Sequence, residues 1–337
     1  MKTKPLIRYW PLLVLLVFCS CAEDIDKFIP DPLVMQKGDI NRFFDAARDD
    51  ITQTTIINID FPEPVVTSRK TVLVFERRSL IDQQGSVVTG DVEIRILELL
   101  TRGEILLYGI PTNSRDKLLS SGGEFYITAT QNGAPLKLRP GMPVRILTDV
   151  EGMPDNHMEL FYGINEDTGF GNVYTWAEAD NDPGSWSNVV VTEWVAIADS
   201  QQIITGFGYE CFSDSLKWIN FDVFADIAEE DKTDVCVTLP PEYGNVNTMV
   251  FLVFNDLNSV IALPGDPETM QFCNFYTMFL QLGVPIGAPV TFVVISEQGE
   301  DCYFFALKET VLVQNHQENL VPEKTPLEDI KDIIMML

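Results

Sequence analysis

The sequence predicts an all-β protein with two β-sandwich-like domains and a short helix near each end. Three observations support this fold class. Short runs rich in Val, Ile, Leu and Thr recur along the chain, and Gly, Pro, Asn and Asp separate them as turn residues do. Hydrophobic residues make up 46% of the 337 residues, which is enough to fill real cores. Helical periodicity is confined to two short stretches, so strands dominate the expected architecture.

The two helical stretches lie close to the ends of the chain. The first, in residues 38–50, places four apolar side chains on one face: Ile40, Phe43, Phe44 and Ala47. The second covers residues 326–337, where Thr325 and Glu328 have the spacing of a capping box and Pro326 stands at the first helical position. Its apolar face predicts that Leu327, Ile330 and Ile334 are buried against a sheet.

A tether and the short helix occupy residues 22–51, and the first β-sandwich domain is predicted at residues 52–150. Its strands are expected at 53–59, 71–76, 91–97, 124–130 and 144–147. The second domain is predicted at residues 151–325, with strands at 158–162, 172–177, 188–197, 203–212, 233–239, 247–254, 259–263, 289–295 and 302–307.

The boundary near residue 150 is predicted from charge. Residues 146–216 contain thirteen acids and no Lys or Arg, whereas the preceding part of the chain is close to neutral. Gly152 and Pro154, which are typical of turns and linkers, lie next to the same boundary. The whole chain carries a formal charge of −27, which disfavours nucleic acid as a partner. The surface of residues 146–216 is expected to engage a neutral or cationic ligand rather than an anionic one.

The N-terminal residues 1–21 have the layout of an export signal. Lys2, Lys4 and Arg8 precede an apolar stretch that is too short to span a membrane. The stretch ends in Phe18-Cys19-Ser20-Cys21, which resembles a bacterial lipobox with Phe18 where that family has Leu. The resemblance implies that Cys21 is acylated and attaches the chain to a membrane. A secretory signal without lipid and an uncleaved anchor helix are the alternatives.

The acids after Cys21 carry a second resemblance. Glu23, Asp24 and Asp26 resemble the surface-export signal of Bacteroidota outer-membrane lipoproteins, which implies display on the cell surface. Ordinary linker acidity and an anchor that faces the periplasm are the alternatives.

Three segments of the first predicted domain resemble uncharacterised secreted proteins of Bacteroidota and, loosely, ZU5-type β-sandwich modules. They are Gly85–Val92, Ile110–Ser114 and Leu118–Phe125. The run Lys217–Asp222, with its Trp-Ile-Asn sequence, resembles the same secreted proteins. The likeness implies a fold and no activity, because such modules host many roles.

No catalytic constellation stands out, and neither a cofactor nor a metal is expected. The chain lacks a phosphate-cradling loop, a dinucleotide fingerprint, a His-Glu-x-x-His motif and a Cys-x-x-Cys pair. His157 and His316 are expected in exposed turns. Asp180 and Asp182, in an acidic turn, are weak calcium candidates. Trp186, in a Gly/Ser/Asn loop, is the candidate for stacking on a sugar ring, whereas Trp176 and Trp194 suit either a sugar platform or a core.

Four cysteines follow the signal, and the sequence leaves their state open. Cys211, Cys236, Cys273 and Cys302 allow three pairings in an oxidising compartment, but their strand contexts also suit small buried thiols.

Together these observations predict a lipid-anchored protein of the outer membrane or cell surface with a non-enzymatic binding or adhesion role. The membrane is reached through the lipid, and the expected partner is a glycan or a protein. A structural fimbrial-type subunit is the first alternative. A glycoside hydrolase with an unmarked carboxylate pair is the second, because such an enzyme needs only two suitably spaced acids.

The assignment of the acylated residue is testable. Metabolic labelling with a fatty-acid analogue should disappear in Cys21→Ala and persist in Cys19→Ala. The reason is that Ser20 supplies the small residue required before the cut, whereas the bulky Phe18 precedes Cys19. The opposite pattern of labelling would move the lipid to Cys19.

Overall fold

The computed structural model describes residues 38–337, apart from residues 49, 151, 168–171, 180–188, 199–201, 267, 268, 270, 278 and 279. In this part the chain is mostly β, and its sheets are antiparallel apart from one parallel strand pair. Short helices lie near both ends, so the predicted fold class is confirmed. Among these described residues, no helix is long and apolar enough to cross a membrane.

The described helices are α1 (Ile40–Ala47), α2 (Arg102–Tyr108) and α3 (Leu327–Met335). The strands as far as residue 224 are β1 (Gln53–Asn58), β2 (Val65–Val66), β3 (Val72–Val74), β4 (Leu80–Ile81), β5 (Asp91–Leu99), β6 (Asn113–Ser114), β7 (Lys117–Gln131), β8 (Ala134–Pro135), β9 (Lys137–Leu138), β10 (Val144–Leu147), β11 (Glu159–Asp167), β12 (Asn172–Glu178), β13 (Val190–Ala198), β14 (Gln202–Ser213) and β15 (Lys217–Phe224).

The later strands are β16 (Lys232–Thr233), β17 (Val235–Thr238), β18 (Thr248–Phe254), β19 (Ser259–Leu263), β20 (Gly265–Asp266), β21 (Gln271–Cys273), β22 (Phe275–Thr277), β23 (Leu280–Gln281), β24 (Val284–Pro285), β25 (Pro289–Glu297), β26 (Tyr303–Val311), β27 (His316–Asn319) and β28 (Glu323–Lys324). A single 3-10 turn at Glu229–Asp231 leads into them.

Two sheets form the first sandwich. Sheet A has the strand order β1-β5-β7-β15-β11-β12, and sheet B has the order β13-β14-β10-β3-β2. Alternate residues of each strand face the space between the sheets, as the two-residue period of a strand requires. The resulting core includes Ile94, Ile96, Phe125, Ile127 and Phe221 from sheet A and Leu73, Ile146, Tyr209 and Cys211 from sheet B.

The structure corrects the domain boundary predicted at residue 150. Both sheets of the first sandwich draw strands from either side of that residue, because β7 pairs with β15 and β10 pairs with β14. Beyond β10 the chain still follows β14, where the Val150 N–H donates to the Phe207 carbonyl at 3.1 Å. The first sandwich therefore continues as far as β15. The change in charge near residue 150 reflects a change in the exposed surface and does not mark a domain boundary.

A second sandwich follows. Sheet C has the order β19-β18-β25-β26-β28, and sheet D has the order β20-β21-β17-β27. Apolar side chains of Val235 and Val237 in sheet D pack against those of Leu252, Phe292 and Val294 in sheet C. Sheet D also contains a disulfide, since Cys236 of β17 and Cys273 of β21 are directly opposite each other and bonded. Cys211 and Cys302 are free thiols.

The three helices cover the other face of sheet C, and together we call them the helix layer. Phe43 and Phe44 of α1, Leu106 of α2 and Ile330 and Ile334 of α3 share one core with sheet C. The sheet C members of that core are Phe251, Val253, Val293, Ile295 and Phe305. Leu97 and Leu99 of sheet A contact the same core, so the helix layer joins the two sandwiches.

Helix α2 was not expected from the sequence, although its signal is present. Thr101 and Glu104 form a complete capping box at its start, and Gly109 ends it in the left-handed conformation with φ of 66°. Gly103 lies against the backbone of Ile334 in α3, and a side chain there would collide with that carbonyl oxygen. Glycine at this position therefore permits the close approach of α2 and α3.

The predicted capping box of α3 is absent. Pro326 is the N-cap residue in an extended conformation, and no side chain caps the helix. The Thr325 hydroxyl donates to the Glu323 carbonyl instead, at 3.0 Å. The prediction of a buried face holds for Ile330 and Ile334, which are fully buried, whereas Leu327 is half-buried.

The docking of α3 can be tested by truncating its buried side chains. Ile330→Ala and Ile334→Ala should each lower the free energy of unfolding by about 2–5 kcal/mol, because each leaves a cavity in the shared core. Met336→Ala is the matched control, since Met336 is 78% exposed at the end of the same helix. Chemical denaturation measures the difference. Equal stability of all three variants would mean that α3 does not dock.

Candidate functional site

The residues that the sequence singled out for lipid attachment, calcium and sugar stacking lie outside the described part of the chain. They are Cys21, Asp180, Asp182 and Trp186. Their assignments therefore stay predictions.

Trp176 and Trp194, the remaining tryptophans of the proposed aromatic platform, are buried. The Trp176 indole N–H donates to the carbonyl of Pro111 at 2.9 Å, and that of Trp194 donates to the carbonyl of Thr148 at 2.9 Å. A buried indole usually finds such a partner, and both rings belong to apolar clusters. These two tryptophans are core residues and offer no flat face to a sugar.

The two histidines have different environments. His157 is exposed in a turn and bonded to Asp155, as expected. His316, also expected in an exposed turn, is buried in β27, where its ring stacks on Phe292 with centroids 5.7 Å apart. Its Nδ1 accepts the Val313 N–H at 3.2 Å, which fixes the ring as a structural element.

The clearest feature of the surface is the hairpin of β13 and β14. On one face, Val191 and Tyr209 pack in the core of the first sandwich. The same face continues past the end of that core, and four apolar side chains become exposed there: Val195 (61%), Ile197 (58%), Ile203 (69%) and Phe207 (44%). We call these four residues the hairpin face. Ile197 and Ile203 are directly opposite each other, whereas Glu193 is opposite Phe207 and Thr205 is opposite Val195 on the same face. Large exposed apolar patches mark interaction sites, and this face is therefore a candidate.

The opposite face of the same hairpin is packed. Trp194 lies across Gly206, where any side chain would collide with the indole, and it contacts Val72 and Leu147 of the neighbouring strands. One side of the hairpin is thus anchored to sheet B. The hairpin face on the other side is held in an ordered strand geometry, and its four side chains are exposed among the described residues.

The outer edge of β13 is a second element of this surface. β13 is the end strand of sheet B, and among the described strands it pairs with β14 alone. Its sequence, VVTEWVAIA, contains one acid and no Lys, Arg or Pro. Natural edge strands normally carry such residues to prevent pairing with another chain. Among the nine residues of β13, Glu193 is the one charged side chain, and neither a Lys nor a Pro interrupts the strand.

A separate polar cluster is buried at the outer face of sheet A, which we call the acidic cluster: Ser121, Glu124, Asn220 and Asp222. Glu124 of β7 is directly opposite Asn220 of β15, and Asp222 follows two residues later on the same face. An irregularity in the pairing, at Gly122 and Gly123, brings Ser121 opposite Asp222. All four side chains are nearly or fully inaccessible to water.

Hydrogen bonds inside the acidic cluster satisfy only part of it. The Ser121 hydroxyl donates to Asn220 Oδ1 at 2.9 Å, and Asn220 Nδ2 donates to Asp222 Oδ2 at 2.6 Å. Both carboxylate oxygens of Glu124 and Oδ1 of Asp222 have no hydrogen-bond partner. Buried carboxylates normally have partners, so three free oxygens in one cluster need an explanation.

The environment disfavours charge on both acids. Burial raises the pKa of Glu124 well above its ordinary value, and repulsion from Asp222 raises it further. Burial also raises the pKa of Asp222, with the Ser121 hydroxyl opposing the rise. A substrate cannot reach carboxyl groups that are fully buried, so this pair does not provide the accessible acids of a glycoside hydrolase.

The acidic cluster was missed in the sequence, but a signal for it exists. Residues 217–224 read KWINFDVF, in which Asn220 and Asp222 alternate with the apolar Ile219 and Phe221. Such alternation normally places polar residues in solvent. Here the second half of the chain covers that face of sheet A, which the local pattern does not reveal.

A cavity of about 260 Å³ lies between the β6–β7 turn and the second sandwich. Its lining includes Asp116, Glu229, Lys232, Asp234 and Asn315. Lys232 pairs with Glu229 inside it. The lining therefore carries an excess of negative charge, which suits water or a small cation better than an anion.

Comparisons with known proteins add little to this geometry. No protein-family model matches the chain, and no curated protein matches it. Among solved structures, the Bacillus anthracis TIE protein aligns with 82% of this chain at 8% sequence identity and a TM-score of 0.18. The alignment spans 58% of that protein's length.

Proposed function

We propose that this protein is a lipid-anchored protein of the bacterial outer membrane, displayed on the cell surface, which binds a partner protein without catalysis. In this proposal the partner contributes an extended segment that pairs with the edge of β13 and covers the hairpin face. The observation that supports it most is the edge of β13, without Lys or Pro, beside four exposed apolar side chains.

Strand addition suits this surface because two kinds of contact are available at once. The edge of β13 offers backbone N–H and C=O groups along nine residues, which give affinity to an added strand. The hairpin face offers apolar side chains whose burial contributes about 25 cal/mol for each Å² removed from water. An extended segment with alternating apolar residues satisfies both.

Charge determines which extended segment fits. Glu193 lies on the same side of the hairpin as the hairpin face, directly opposite Phe207, and the whole chain carries a charge of −27. An acidic segment would be repelled, and a second copy of the chain would bring another −27 to the interface. An uncharged segment rich in β-branched residues avoids both kinds of electrostatic repulsion. We therefore assign the surface to an uncharged strand of a different protein.

The cellular location in this proposal rests on the sequence. Cys21 within the lipobox-like segment accounts for the membrane, and Glu23, Asp24 and Asp26 account for surface display. The disulfide between Cys236 and Cys273 is compatible with an oxidising compartment outside the cytoplasm.

A fimbrial-type structural subunit is the second candidate function. The same edge of β13 supports it, because a strand from another copy would also pair there if its backbone contacts outweighed the repulsion between two acidic chains. In that case the assembly would be a chain of identical subunits rather than a complex with a partner.

The surface can be tested with synthetic strands of about ten residues, a length within the usual range for strands. An uncharged peptide of alternating Val and Thr should bind the protein, and the same peptide with Glu in place of Thr should bind much more weakly. Val195→Lys/Ile197→Lys should weaken binding of the uncharged peptide at least tenfold, about 1.4 kcal/mol. Fluorescence anisotropy measures the affinity, and hydrogen exchange should show slower exchange of β13 amides on binding.

Val321→Lys is the matched control, since Val321 is 70% exposed outside the hairpin, and it should leave binding unchanged. Equal affinity of the double variant and the wild type would reject the surface. Reversible dimers of the wild type that the double variant lacks, seen by sedimentation, would identify a second copy as the occupant and favour the fimbrial-type subunit.

A further inference from the structure

We propose that the acidic cluster is a metal site in which Glu124 and Asp222 bind a divalent cation, with calcium as the ion that the ligand chemistry favours. The inference begins with Glu124, whose carboxylate is 0% exposed and has no hydrogen-bond partner on either oxygen. Asp222 Oδ1 is free in the same way, and Asp222 lies on the same face of sheet A, two residues along β15 from the residue directly opposite Glu124.

Burial of two such carboxylates is costly unless something compensates their charge. Unpaired ionised carboxylates lose their hydration without gaining a partner. In the described part of the chain, no Lys, Arg or His is paired with Glu124 or Asp222. A divalent cation would neutralise both charges and use the three free oxygens together.

The type of ligand narrows the choice of ion. The acidic cluster offers only oxygen: two carboxylates, the Asn220 amide and the Ser121 hydroxyl. Zinc and copper prefer nitrogen and sulfur, whereas calcium binds carboxylate, amide and carbonyl oxygens in flexible geometry. Magnesium keeps several waters and prefers an ideal octahedron, which fits a dry cluster less well.

In the described residues, no three His, Cys, Asp or Glu side chains are grouped around a common point. The site therefore rests on two acids, and neutral oxygens complete it. This composition distinguishes it from the acidic turn at Asp180 and Asp182, which lies outside the described residues.

The position of the acidic cluster gives the ion a structural role. The turn between β18 and β19 meets sheet A at Ser121, where Asn258 accepts the Ser121 N–H at 2.9 Å and donates its Nδ2 to the Ser121 carbonyl at 2.8 Å. An ion at Glu124 would thus strengthen sheet A beside its contact with the second sandwich. We expect calcium to stabilise the joint between the two sandwiches.

The first experiment uses the purified full chain after EDTA treatment. Adding calcium should raise Tm by roughly 5 °C or more, the shift expected when a ligand is present at about one hundred times its Kd. Elemental analysis of the protein before EDTA treatment should find calcium in equimolar amount. Terbium should bind in its place, with luminescence sensitised by Trp218, which is on the same strand as Asn220 and Asp222.

Glu124→Gln and Asp222→Asn identify the residues, with Glu309→Gln as the control because Glu309 is exposed on β26. The first two variants should lose the calcium-dependent rise in Tm, and the control should keep it. In EDTA at about pH 8, Glu124→Gln should be more stable than the wild type, because it removes an unpaired buried carboxylate. In calcium the order should reverse. Terbium binding by the wild type provides a readout even if a variant does not fold.

The alternative is a pair of protonated, neutral acids without metal. The pKa of each acid is raised on folding, so the folded state binds more protons than the unfolded chain does. The free energy of unfolding of metal-free protein should then fall as pH rises from about 5 to 8. The proposal would be overturned if the free energy of unfolding fell in this way for the wild type and not for Glu124→Gln, and if the protein responded to neither calcium nor terbium. Calcium binding that is equal in all variants would also overturn it, since the ion would lie elsewhere.

Discussion

The centre of sheet A, around the acidic cluster on β7 and β15, is covered on both faces, and the rest of the structure depends on this constraint. One face fills the first sandwich, and the other meets the helix layer and the turn between β18 and β19. A sheet buried on both faces has no place where polar side chains can simply turn towards water. The polar side chains of the acidic cluster must therefore be satisfied inside the protein, whereas Lys117 and Lys217 at the ends of these strands are exposed. The acidic cluster is the place where this requirement is not met by protein atoms alone.

Sheet B has the opposite situation. Its inner face is buried only as far as the core of the first sandwich extends, and the hairpin of β13 and β14 continues beyond that point. Trp194 and its neighbours hold the hairpin from the other side, so its exposed face is a fixed strand surface. The two candidate sites thus arise from the same architecture. Sheet A buries polar side chains that lack partners, and sheet B exposes apolar side chains to water.

Local patterns in the sequence were sufficient to predict most of the long strands and the two terminal helices, because strand and helix periods are properties of short segments. The spacing of Ile40, Phe43, Phe44 and Ala47 gave α1, and runs such as Asn247–Phe254 gave strands close to those observed. Charge was a poor guide to the domain boundary, since it describes what faces water and not which strands pair. Strand β15 was not predicted, because its sequence was interpreted only as a resemblance to secreted proteins. The alternation of Ile219 and Phe221 with polar residues is nevertheless typical of a strand.

The candidate sites were harder to predict, because burial is decided by contacts between distant parts of the chain. Nothing near Glu124 or Asp222 indicates that both side chains will be buried, or that the distant turn between β18 and β19 will contact Ser121 beside them. The same holds for Val195 and Ile197, which look like ordinary core residues of a strand until the extent of the first core is known. His316 was misplaced for this reason too, since its burial depends on Phe292 in another sheet.

The helix layer also has a consequence for the order of folding. Helices α1 and α3 come from opposite ends of the chain, yet both contribute to the core that joins the sandwiches. Contacts between such distant segments carry a large cost in loop-closure entropy and slow the folding of a domain. The layer cannot close until almost the whole chain has been synthesised. A nascent chain therefore lacks this joint between the sandwiches until α3 has been synthesised.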